Sequence, residues 1–224
     1  MIFKKIAWCC MLTCAMLSAH CQSHEVTVGL SFGTTQYAGE LVSDLYSFGT
    51  ANPTVGLCAS YTMPQGIGAT LRFNMGRWGA TGKGQTFNVD LLQTTVMLKY
   101  APLHKRSTRW QPYVMAGFAL HHYANWSLRD SSDTEVTHNN LGMRINTRAF
   151  EGFNTAVPVG AGLQIRLAQA IYLSLDETFY FQNRDNWDGY QRGAKDVMLA
   201  HTISICFGLG ANGGGAIPQV PEAN

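Results

Sequence analysis

From residue 25 onward, apolar residues alternate with small or polar ones at a period of two, the pattern of strands whose two faces meet different surroundings. In residues 155–167, Val157, Val159, Ala161, Leu163, Ile165 and Leu167 fall on one face, and Pro158, Gly160, Gly162, Gln164 and Arg166 on the other. The same division recurs along the chain. Val28, Leu30 and Phe32 oppose Thr27, Gly29 and Ser31; Leu57 and Ala59 oppose Cys58 and Ser60; Leu71 and Phe73 oppose Arg72 and Asn74. Val96 and Leu98 oppose Thr95, Met97 and Lys99, and Val114 and Phe118 oppose Tyr113 and Met115. Leu173 and Leu175 oppose Tyr172, Ser174 and Asp176, and Ile203 and Ile205 oppose Thr202, Ser204 and Cys206. Eight strands are predicted, and the joins between them alternate in length. Those at residues 64–66, 102–108 and 168–170 are short, whereas those at 34–52, 79–86, 124–154 and 183–195 are mostly longer and rich in Gly, Asn and Asp. Short turns at one rim and long joins at the other are the sequence form of an eight-stranded antiparallel up-and-down transmembrane β-barrel.

Composition decides which face is outside. Only 13% of residues are charged, and the polar face carries Gly, Ala, Ser and Thr with few charges, unlike the Lys- and Glu-rich exterior of a soluble barrel. A narrow lumen suits small residues, because eight strands leave just enough width for side chains to fill. Arg72, Asp90, Lys99, Arg166 and Asp176 are therefore expected to form a structural charge network in the lumen. Trp78, Tyr100, Trp110, Tyr123, Trp126, Phe179, Phe181 and Trp187 are expected in aromatic girdles at the two membrane surfaces. Glu177 and His201 fall on the apolar face, and a β-bulge or a place near the rim is the expected remedy.

Lys4, Lys5 and the apolar stretch after them read as an export signal, so residues 1–21 are expected to be a signal peptide, 22–210 the barrel and 211–224 a disordered tail. Cleavage after Ala19 or after Cys21 fits. A lipobox ending in Cys21 fits less well, because His20 is not small. Cys58 and Cys206 are expected to stay as free, buried thiols. They sit on strands separated by a third, about 9 to 10 Å apart, whereas a disulfide needs Cα atoms within about 7 Å.

Trp110-Gln111-Pro112-Tyr113-Val114-Met115-Ala116-Gly117 and Val159-Gly160-Ala161-Gly162-Leu163 resemble the fifth and sixth strands of the OmpA-type outer-membrane β-barrel domains. Asp185-Asn186-Trp187-Asp188-Gly189 is similar to the Asp-x-x-Asp-Gly loop of those proteins. The resemblance runs from about Glu25 to Leu209 and implies the barrel without a peptidoglycan-binding domain, in the outer membrane. The chain departs from the family in running past Phe207 into a Gly-rich tail.

Candidate chemistry is sparse. His121 and His122, near Ser127 and Asp130, lack a lipase, deacylase or acyltransferase motif and read as two rim histidines. Metal binding by His121, His122 and His138 matches no known spacing. Gly79-Ala80-Thr81-Gly82-Lys83-Gly84 lacks the Ser or Thr and the helix of a phosphate loop and reads as a surface turn. Net charge is +2 without a basic patch, so no nucleic-acid role is assigned. The expectation is a non-enzymatic barrel without cofactor or metal. It would contact outer-membrane lipid and act through its outer loops on an extracellular ligand or an envelope protein partner. A small-solute channel and an accessory subunit of a secretion or assembly machine are the alternatives.

Overall fold

The computed structural model describes residues 25–38, 51–82, 84–104, 109–130, 132, 134, 152–183 and 197–209. The expected export segment, the tail, Trp187 and His138 lie outside them. Eight strands follow one another: β1 (Glu25–Ala38), β2 (Asn52–Thr62), β3 (Ile67–Gly82), β4 (Gln85–Tyr100), β5 (Trp110–Asp130), β6 (Gly152–Ala168), β7 (Ile171–Gln182) and β8 (Val197–Leu209). Each pairs antiparallel with its neighbour, and β8 closes on β1 to complete a barrel. Closure removes both sheet edges, so every ladder hydrogen bond is made within the protein.

The alternation translates directly into two faces. Leu30, Leu57, Leu71, Val96, Phe118, Val159, Leu175 and Ile205 are exposed on the outer wall. Ser31, Cys58, Arg72, Thr95, Ala119, Gln164, Asp176 and Cys206, one from each strand, are buried inside. At one end the turns are tight. Gly66, at φ 84°, donates its N–H to the Met63 carbonyl at 2.9 Å and accepts from Ala101 N–H at 2.7 Å.

At the opposite end the expected long join at residues 79–86 is almost all strand. β3 continues to Gly82, β4 starts at Gln85, and Gly84 at φ 74° turns between them. The join at 124–154 likewise shortens, because β5 runs on to Asp130. Gly-rich sequence there signals tight turning and not loop length. Beyond the strand end, the Asp130 carboxylate accepts from Ser132 N–H, Ser132 Oγ and Thr134 N–H, each at 2.9 Å.

No bulge re-aims Glu177 or His201, contrary to expectation. They lie opposite each other in the β7–β8 ladder, both half-buried on the apolar face. The bulges fall elsewhere, between Asn88 and Asp90 against β5 and between Arg166 and Ala168.

Candidate functional site

The lumen is filled in three levels. Nearest the short-turn end, Arg72 on β3 donates from Nη2 to Asp176 Oδ2 on β7 at 2.5 Å, with the two side chains 4% and 0% exposed. Tyr113 on β5 donates its hydroxyl to the other oxygen of the same carboxylate. Lys99 on β4 donates to Gln164 Oε1 on β6 at 2.5 Å, and its ammonium lies 4.2 Å from the centre of the Tyr113 ring. Gly162 permits this crowding, because a Cβ there would run into Asp176 Oδ1 and the Tyr113 ring. The space left among these side chains is about 20 Å³, room for about one water.

Above this level runs a belt of amides. Ser31 Oγ donates to Asn74 Oδ1 at 2.9 Å, and Asn74 Nδ2 donates to Gln93 Oε1 at 3.2 Å. Gln93 Nε2 meets His121 Nε2 at 2.9 Å, while Gln182 Nε2 and Tyr123 Oη meet His121 Nδ1 at 3.2 and 2.8 Å. Asn154 Nδ2 donates to Gln182 Oε1 at 3.1 Å. These bonds link six of the eight strands. His121 is therefore fully buried in the lumen and not at the rim. Only His122 faces outward, its ring 4.8 Å from that of Phe153. The alternation carried this signal, since His121 shares parity with Tyr113 and Met115.

The third level is apolar. Trp78, Phe87, Tyr37 and Tyr123 stack at centroid separations of 4.9 to 5.9 Å, among Val89, Leu91, Trp126 and Leu128. Trp78, Tyr123 and Trp126 are thus core residues, which corrects their expected place in a girdle. Asn125 is responsible for part of this. Its φ of 55° makes a bulge that resets the alternation, so that Tyr123 and Trp126 both point inward. Tyr100, Trp110 and Phe181 do lie exposed on the outer wall.

Of the five charges assigned to the lumen, the structure places Arg72, Lys99 and Asp176 inside. Asp90 is on the outer wall, its side chain 49% exposed and 3.6 Å from Arg77 Nε. On β4 the odd-numbered residues face inward, so Asp90 cannot share a face with Lys99. Arg166 has the inward parity of Gln164 but lies at the barrel lip. It donates to the Gln169 carbonyl at 2.8 Å and approaches the Tyr172 ring at 5.9 Å, turned to the turn backbone and away from the network.

Cys58 and Cys206 are free and buried. They flank Gly29 in register, and their sulfurs are 3.4 Å apart. The curvature of the closed wall brings the two thiols into contact across β1 without a bond between them. Alkylation under denaturing, non-reducing conditions is expected to add two adducts to the intact mass; an unmodified mass two hydrogens lighter would show that the two sulfurs are bridged.

Among the described residues no group of three or more His, Cys, Asp or Glu is arranged to hold a metal ion. His121 and Ser127 are six positions apart on one strand, about 20 Å, beyond hydrogen-bond reach.

Residues 6–208 match the family described as outer membrane protein beta-barrel domain. No curated protein matches the chain significantly. Among solved structures, Ail of Yersinia pestis, in complex with the heparin analogue sucrose octasulfate, is 10% identical with a TM-score of 0.42, over 83% of this chain and 98% of that one. Neisserial surface protein A is 10% identical with a TM-score of 0.47, over 81% and 96%. Outer membrane protein W of E. coli is 18% identical with a TM-score of 0.45, over 84% and 98%. The likeness is one of barrel architecture alone.

Proposed function

The chain belongs to the outer membrane protein beta-barrel domain family and is an outer-membrane protein, and from that premise we propose that it is a non-enzymatic, non-conducting anchor that presents an extracellular surface. The observation that carries this is the length of its strands. β5 has 21 residues and β3 and β4 have 16 each, whereas a tilted strand crosses the membrane in about 9 to 11. The surplus lies at the end away from the short turns, where β3, β4 and β5 rise as a wall above the bilayer. The apolar level of the lumen stiffens that wall from within. The chain between strands at the same end, residues 39–50, 135–151 and 184–196, supplies the sequence that would meet an extracellular ligand or an envelope protein.

A channel reading conflicts with three filled levels in series. Purified protein in planar bilayers is expected to give no conductance steps, and an epitope inserted at Gly84 is expected to be reached by antibody on intact cells. Reproducible steps would favour the channel, and an epitope hidden until the cells are broken would remove the presenting surface.

A further inference from the structure

The outer wall carries a groove of about 640 Å³ across β1 to β5, and we propose that it seats an acyl chain of one phosphate-bearing outer-leaflet lipid, with the phosphate held by Arg77. Its floor is a row of residues in register: Phe32 opposite Val55, Val55 opposite Met75, Met75 opposite Leu92, and Leu92 opposite His122. The apolar members of that row are all exposed. The row above is short-chained or polar, with Pro53, Arg77, Asp90 and Ala124 lining the groove. Pro53 and Ala124 are small and Arg77 and Asp90 polar, so the apolar row beneath them is left open sideways to the membrane.

The height of this groove selects the occupant. From Ile67 at the short-turn end to Arg77, β3 climbs about 33 Å along its axis, or about 25 Å along the barrel axis at the usual tilt. That equals the roughly 25 Å apolar band of such barrels. Arg77 therefore stands where hydrocarbon gives way to headgroups in the outer leaflet, with Met75 and Leu92 just below it in the chain region. A lipid anchored there would place its phosphate beside the cation and a chain along the floor.

The charge arrangement fits an anion despite the acid beside it. Asp90 Oδ1 stands 3.6 Å from Arg77 Nε, and its other oxygen accepts from Asn125 Nδ2 at 2.7 Å. The Arg77 side chain stays 73% exposed. The two Nη groups remain to bind a phosphate in the bidentate manner that arginine favours. His122, the other titratable side chain in the groove, lies at the far edge against Phe153.

The test is native mass spectrometry of the delipidated barrel in mild detergent, titrated with phosphorylated outer-leaflet glycolipid, the same lipid after dephosphorylation, and a phosphate-free diacylglycerol. The wild-type protein is expected to retain one equivalent of the phosphorylated lipid at least ten-fold better than the other two. Arg77→Gln should erase that preference, and Val55→Trp, which fills the floor, should release the lipid altogether. Heat-modifiable mobility checks that both variants stay folded. Equal retention of all three lipids by the wild-type protein, or unchanged retention in Arg77→Gln, would overturn the proposal.

Discussion

Asp176→Leu is expected to destabilise the barrel by about 3 to 5 kcal/mol, the cost of leaving a buried charge without its partner. Arg72 and Asp176 are almost wholly enclosed and 2.5 Å apart, and Tyr113 donates to the same carboxylate. Removing the acid strands the guanidinium in a part of the lumen that it shares with the cation Lys99. A water in the remaining space of about 20 Å³ offsets only part of that. The measurement is equilibrium urea unfolding from phospholipid vesicles, read by far-UV circular dichroism, with the temperature of the gel-mobility shift as a second readout. Arg72→Met combined with Asp176→Leu should recover most of the loss, since a packed apolar pair can replace a buried ion pair at little net cost. A single variant within about 1 kcal/mol of the wild type would mean that the lumen solvates Arg72 well enough to make the pair dispensable.

Trp78→Ala should cost a similar amount, about 3 to 5 kcal/mol, as expected for deleting a large buried aromatic and leaving a cavity. Trp78 is fully buried and packs against Tyr37, Phe87 and Tyr123 at ring separations of 5.6 to 5.9 Å. The outward Trp110, half exposed, is the control, and its replacement by alanine should change stability far less. Were Trp78 a girdle residue, the two variants would behave alike in the same unfolding assay. Conductance should stay absent in Trp78→Ala, because the amide belt and the charged level still close the lumen below the cavity.

These two residues also mark how far the sequence could be read. Arg72 and Asp176 stand on the small-residue face of their strands, so their inward direction follows from alternation. That they meet does not, because they are 104 positions apart and only the closed ladder brings β3 and β7 across from each other. Trp78 was misread because aromatics mark both membrane interfaces and packed cores. Asp90 was misread as a lumen charge although its parity against Lys99 already spoke for the outer wall. Tyr123 shares the inward parity of His121, but Trp126 could not be placed by parity, since the bulge at Asn125 shifts the count by one.

The sequence by itself determined that the chain is an eight-stranded barrel with an apolar exterior and a small-residue interior. Those properties depend on a local period of two, which any strand expresses without reference to its neighbours. Only the tertiary structure decided where each strand stops, which inward side chains touch, and which apolar side chains line the groove beside Arg77. Each of those depends on register between strands and on the curvature of closure, and register is set by the whole ladder and not by any one strand.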